Sequence, residues 1–309
     1  MLGALLNVSC VEVVGLVTQP DRSGGRNRRP MACACKAFAE PFNIPMICPV
    51  KVNHPEVLAQ IRAWDPEVII VVAFGQFLGA QLLAMPRFGC INIHLSLLPK
   101  YRGAAPVQWA IANGERETGV TAMLMDEGMD SGDILAQATE PILPDDTSTS
   151  LHTRLADLGG RMLCDISPRW VAGQLPRQPQ RHDQVTFAPK LRKEDGILDW
   201  HASARTIDCR VRAFNPWPAC HTWLPRKEGV REEGRRLKIL RVAALPGYVP
   251  QHADLPVGAI CETASGRDPL VRVGDGAVQL LEVQPEAGRV MSGQALACGY
   301  RLQAGDIFA

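Results

Sequence analysis

An asparagine and a histidine stand two residues apart in the segment 90–103, which reads CINIHLSLLPKYRG. A strand's period of two sends Ile91 and Ile93 to one face and Asn92 and His94 to the other. Asparagine is disfavoured inside strands, so such a pair at a strand's end needs a reason. One reason is a hydrogen-bonded strand terminus. The other is chemistry, because the ligands of parallel sheets bind outside the carboxyl ends of strands. A second cluster, MDEGMDSGD at 125–133, holds three Asp, one Glu and two Gly. It is either a solvated acidic turn or the source of a carboxylate that orients His94 for acid or electrostatic work. The third is DRSGGRNRR at 21–29, where Arg22, Arg26, Arg28 and Arg29 accompany Gly24 and Gly25 with no acid after Asp21. It suits a solvated loop or a flexible grip on phosphates. The stretch 226–241 adds Arg226, Lys227, Arg231, Arg235, Arg236, Lys238 and Arg241 against Glu228, Glu232 and Glu233. It is a solvated hairpin or an RNA-facing edge.

These groups need a scaffold, and short β-branched runs alternating with helical stretches supply one. Strands are expected at 11–18, 44–48, 68–73 and 90–94, and helices at 31–40 and 55–64, the latter with Asn53 as cap. The run VIIVVA at 68–73 has the continuous apolar character of a strand buried on both faces. The alternation implies a parallel α/β sheet. A later strand pair at 119–125 and 134–139 leads into a long helix at 149–171. The texture then changes to QLPRQPQRHDQ at 174–184, the best linker candidate. Beyond it come a helix at 204–213 and several short strands with turns, such as Gly274-Asp275-Gly276, which suggest a small β-barrel.

Composition narrows the function. The chain has 309 residues, with 33 Lys+Arg against 32 Asp+Glu and a net charge of +1. That excludes a polycation, an acidic tail and a disordered chain, so any nucleic-acid contact must come from a local patch. No apolar run approaches the ~18 residues of a membrane span. The first ten residues lack the features of a secretory signal. The ten cysteines are scattered, and the only close pair is Cys33 and Cys35. Reduced thiols in a cytoplasmic protein, mostly in its core, are expected.

The residues also carry a resemblance. INIHLSLLPKYRGAAPVQWAI together with ETGVTAMLMDEGMDSGDIL resembles the catalytic core of the 10-formyltetrahydrofolate-dependent formyltransferases. TQPDRSGGRNRR, the FNPWPA run at 214–219 and the closing GYRLQAGD resemble the tRNA-directed branch of that family. The likeness extends over nearly the whole chain from Leu2 on. It implies a Rossmann-like formyltransferase domain over 1–173, a linker over 174–190 and an OB-like, tRNA-binding β-barrel over 191–309. It implies a monomer that moves a formyl group from 10-formyltetrahydrofolate to the α-amine of initiator methionyl-tRNA, with neither a metal nor a covalent intermediate. Asn92, His94 and Asp130 would be catalytic, with Asp126 and Asp133 structural. Phe74, Gly75, Gln76, Phe77, Leu78, Ser96, Leu97, Leu98, Pro99, Met125 and Gly128 would line the folate. Arg22, Arg26, Arg28, Arg29, Arg235, Arg236 and Lys238 would face tRNA. Arg102 and Gly103 would shape the loop.

Leu95 departs from the small residue or proline usual after the histidine, and Phe74 from the usual tyrosine. The family also opens with a strand and a Gly-Thr-Pro turn ahead of the helix that Leu2 to Leu6 resemble. A functional protein longer by about 15–20 residues, a strand, a turn and part of a helix, is therefore expected. Two other outcomes stand beside the tRNA enzyme: a truncated, inactive RNA-binding remnant, and a formyltransferase for a sugar nucleotide or small amine.

Overall fold

The structure, a computed structural model, describes residues 1–24, 29–31, 33–225, 234–249, 254–262 and 268–309, with the backbone alone described for 22–24 and 29–31. It forms two compact units that interleave along the chain. One is Met1–Ala104, Gly119–Glu140 and Arg154–Ala188; the other is Ala105–Thr118, Pro141–Thr153 and Pro189–Ala309.

The first unit opens with α1 (Leu2–Leu5), β1 (Leu16–Val17), the hairpin β2 (Arg22–Gly24) and β3 (Arg29–Met31), α2 (Ala34–Ala39) and β4 (Met46–Ile47). It continues through α3 (Pro55–Ala63), β5 (Ile69–Val71), α4 (Ala80–Leu83), β6 (Cys90–His94) and β7 (Arg102–Gly103). Strands β1 and β4 pair in parallel, as do β5 and β6. A four-stranded sheet runs in the order β5-β6-β8-β9, where β8 is Glu117–Leu124 and β9 is Ile134–Pro141. Here β8 lies antiparallel to β6, so the sheet is mixed, a common form among α/β folds. The helix α6 (Ser148–Val171) follows, and β10 (Phe187–Ala188) pairs with β7.

Helix α3 starts on Pro55 and Glu56, a proline with a preset φ and a carboxylate at the positive end of the dipole. Its Leu58 and Ile61 join Val52, Leu78, Leu82 and Cys90 in one core, against which Val17, Ile47, Ile69 and Val71 also pack. Two sequence expectations shift. The strand expected over 11–18 is only β1, and the apolar run at 68–73 yields a three-residue strand that is half-buried. Lying at the end of the strand order, β5 has one neighbour where a strand inside the sheet has two. Strand β6, between two partners, is buried at every residue. No helix among the described residues is long and apolar enough to cross a membrane.

The second unit contains α5 (Pro106–Ala112), α7 (Ala204–Phe214), β11 (His221–Trp223), β12 (Arg236–Pro246), β13 (Ile260–Glu262), β14 (Leu270–Val273), β15 (Gly276–Pro285), β16 (Met291–Ser292) and α8 (Gly293–Gly299). The strands form an antiparallel sheet in the order β11-β12-β15-β14-β13, with β16 on β15. Ser203 caps α7 by accepting from the Thr206 N–H. Asp275, in the tight turn between β14 and β15, accepts from the Ala204 N–H at 2.7 Å and ties that turn to the helix. Trp109 of α5 meets Phe214 of α7 edge-on, with ring centroids 5.7 Å apart.

Candidate active site

Strand β6 carries Asn92 and His94 on one face, and both are buried, at 9% and 6% exposed. The loop after it is fastened from beneath. Thr121 of β8 donates to the Ser96 carbonyl at 2.6 Å and accepts from the Leu98 N–H at 3.1 Å. Gln137 of β9 donates to the Leu98 carbonyl at 2.8 Å, and the Ser96 hydroxyl to the Lys100 carbonyl at 2.7 Å. The loop ends on Tyr101, whose left-handed backbone (φ 61°) brings its carbonyl to within 2.9 Å of His94 Nε2. A carbonyl only accepts, so Nε2 carries a proton. The nitrogen left to exchange protons is Nδ1, and it faces Asp130 Oδ2 at 3.7 Å.

Asp130 arrives from the acidic loop between β8 and β9. Its Oδ1 accepts from Asn92 Nδ2 at 3.3 Å, and its Oδ2 accepts from the Gly103 N–H at 2.8 Å. Its backbone is also left-handed, at φ 49°. Asp126 holds the same loop together, accepting from the Gly128 N–H at 3.0 Å and the Ser131 hydroxyl at 2.7 Å. Gly132 is required there, because a Cβ would stand 1.7 Å from the Leu124 carbonyl oxygen. The acidic loop thus brings the carboxylate of Asp130 beside the Asn-His pair.

The loop after β5 is pinned just as firmly. Gln76 accepts from the Val52 N–H at 2.8 Å and donates to the Pro49 carbonyl at 3.1 Å. Gln19 donates to the Phe74 carbonyl at 2.6 Å. Asn53 does not cap α3. It donates to the Phe77 carbonyl and accepts from the Gly79 N–H, both at 2.8 Å, while His54 takes the cap position with no side-chain bond. Phe77 and Met129 are left exposed, at 64% and 65%. Leu78, Ser96 and Leu98 are buried, Leu97, Pro99 and Met125 half-buried, and Gly128 exposed. Gly75, at φ 75°, has open space around its α-carbon.

Arg26 and Arg28 lie outside the described residues, as do Arg226, Lys227 and Arg231. Arg22 and Arg29 fall on the paired backbones of β2 and β3. In the other unit, Arg235 and Arg236 are exposed and Lys238 is half-buried beside them. No group of three or more metal-ligating side chains occurs among the described residues. The ten cysteines are free thiols; four are buried, four half-buried and two exposed, so fewer lie in the core than expected. Two residues are not marked by the sequence as site residues: Gln180, which lies in the expected linker and donates to the Asp130 carbonyl, and Arg102, expected only to shape its loop, which bonds Gln180. Single polar residues in loops carry no periodic signal that could mark them.

Residues 4–166 match the formyl transferase family, and residues 190–301 match the formyl transferase C-terminal domain. The chain belongs to the formyl transferase family. It is 40% identical over 298 residues to a methionyl-tRNA formyltransferase of Citrifermentans bemidjiense, covering 96% of this chain and 88% of that protein. It is 42% identical over 295 residues to the enzyme of that name from Geobacter metallireducens, covering 95% and 90%. Among solved structures it resembles HypX from Aquifex aeolicus in complex with tetrahydrofolic acid, with a TM-score of 0.59 and 18% identity over 92% of this chain and 46% of that one. It also resembles an N-formyltransferase from Helicobacter canadensis in complex with folinic acid and dTDP-3-aminofucose, with a TM-score of 0.60, 15% identity and 94% coverage of both chains. At those identities the two structures speak to the fold.

Proposed function

We propose that this chain transfers the formyl group of 10-formyltetrahydrofolate to the α-amino group of methionyl-tRNA, the initiator of translation, in the cytoplasm. The observation that carries the reading is the joining of Asn92, His94 and Asp130 in a chain about 40% identical, over 96% of its length, to enzymes of that name.

The chemistry follows from the donors and acceptors. The amine attacks the formyl carbon, and a tetrahedral intermediate forms with its charge on oxygen. Asn92 has two N–H groups, and only one is needed by Asp130. The other donates to the developing oxyanion, from a buried position where such a bond counts most. With Nε2 committed to Tyr101, His94 acts through Nδ1, which gives that oxygen a second donor when it carries a proton. Asp130 holds that imidazole and accepts the proton that the attacking nitrogen must lose. The same proton is needed on the folate nitrogen when its bond to the formyl carbon breaks, so no net acid or base is consumed. Asp126 and Asp133 shape the loop. The pinned loop over residues 74–78, with Phe77 and Met129 exposed, supplies apolar area for a pteridine ring. Arg22, Arg26, Arg28 and Arg29, with Arg235, Arg236 and Lys238, contact tRNA phosphates.

The test is a competition with purified protein and 10-formyltetrahydrofolate. Charged initiator tRNA should become formylated, while free amines and nucleotide-linked amino sugars should not. Formylation of the amino sugar alone would overturn the reading. Binding of tRNA without any transfer would favour the inactive remnant.

A further inference from the structure

Gln180 sits in a polar, proline-rich stretch, yet it is 5% exposed. A buried primary amide has to satisfy both ends. Its Nε2 donates to the carbonyls of Asp130 and Gly132, each at 2.8 Å. Its Oε1 accepts from Arg102 Nη2 at 2.7 Å and Nε at 3.1 Å. Arg102 is itself 7% exposed, and its backbone N–H donates to the Thr186 carbonyl at 2.9 Å. A guanidinium has no acceptor, so its two donors fix Oε1 toward Arg102. Only Nε2 is then left to face the two carbonyls, and the amide cannot flip. Those carbonyls flank Ser131, so one side chain grips both ends of a three-residue turn. The first residue of that turn is Asp130, held in a conformation that non-glycine residues keep only under constraint. The next residue after Arg102 is Gly103, whose N–H holds the Asp130 carboxylate from the other side.

We infer that Gln180, locked by Arg102, is the positioning residue of the Asp130 carboxylate: it bridges the Asp130 and Gly132 carbonyls and so sets the aspartate to meet Asn92, His94 and the Gly103 N–H. A residue from the stretch between the two family domains thereby tunes the reacting group without touching substrate. The kinetic arm of the test rests on the formyl-transfer reading; the exchange arm does not.

Gln180→Met keeps the length of the side chain and removes every donor. With kcat and both KM values measured, kcat should fall about 10- to 100-fold, the scale of a misplaced reacting group. Both KM values should stay within about two-fold, because binding is untouched. By NMR, the Gly103 amide should exchange about ten-fold faster or more, as its carboxylate acceptor loosens. Gln180→Glu is the second variant. It keeps Arg102 as partner and so protects the fold, but it cannot donate to two carbonyls and should lose kcat to a similar degree. If Gln180→Met does not fold, Gln180→Glu decides. Wild-type kcat in either folded variant overturns the inference. So does a kcat loss with unchanged Gly103 exchange. If the wild-type protein transfers no formyl group, the functional reading fails, and Gly103 exchange alone decides on Gln180.

Discussion

Each member of the proposed triad has a distinct hydrogen-bonding duty, so replacements should fail for different reasons. Asn92→Ala removes the buried amide proposed as oxyanion donor, and kcat should fall by about 10²–10³. His94→Ala and Asp130→Ala should each nearly abolish turnover. All three should keep their circular dichroism spectrum and their affinity for folate. A normal rate for Asp130→Ala would refute its role. The cysteines make a second residue-scale prediction. Burial pushes the thiols of Cys90 and Cys220 up to about 12, from an ordinary value of 9.0. In the unfolded chain they ionise near that ordinary value, while the folded chain keeps their protons. Their contribution to stability is therefore whole below about pH 9 and drains away between about 9 and 12, by up to about 1.4 kcal/mol per pH unit for each thiol. Urea midpoints should fall with pH across that window, and less steeply in Cys90→Ala. At pH 8, iodoacetamide should label exposed Cys10 and Cys298 and spare Cys90 and Cys220 until the chain unfolds.

At the scale of elements, the candidate site is a set of loops held by side-chain hydrogen bonds, some from strands and some from the loops themselves. Thr121 and Gln137 on neighbouring strands fasten the loop after β6. Gln76 and Asn53 fasten the loop after β5. The acidic loop relies on Asp126 and on Gly132, whose α-carbon lies hard against the backbone of Leu124. Gly132→Ala must push the β8–β9 connection apart, at a cost of about 1–3 kcal/mol. A lowered thermal midpoint and a reduced kcat should appear together, since Asp130 rides on the same loop. An unchanged midpoint would mean that the loop has slack. This level is only partly legible in the sequence. The period of two in β6 identifies the shared face of Asn92 and His94, and the acidic cluster is visible as composition. Asn53 resembles a helix cap because its neighbours in sequence suggest one. Its actual partners, Phe77 and Gly79, are more than twenty residues away.

For the whole molecule, a net charge of +1 leaves tRNA attraction to local groups. Arg26→Ala should weaken tRNA use more than folate binding, as should Arg235→Ala combined with Arg236→Ala. The log–log dependence of tRNA affinity on salt should flatten by about 0.7–0.9 for every phosphate no longer neutralised, while the folate KM stays constant. A salt slope unchanged in all these variants would place the tRNA elsewhere. The sequence by itself determined the chemistry on offer and the class of scaffold: an Asn-His pair at a strand end, an acidic loop, an arginine-rich loop, and a change of texture from α/β to antiparallel β. Those signals are local, being written in residue type and period. Residue type and period do not tell Asp126 from Asp130, and the tertiary structure shows which of the two meets the Asn-His pair. Asp126 and Asp130 are alike in sequence, yet one ties its own loop and the other meets Asn92 and Gly103. It also decided which His94 nitrogen is committed, through the Tyr101 carbonyl, and it drew Gln180 from the expected linker into the site. Such choices are made by partners distant in the chain, in a buried space where every polar group must find one.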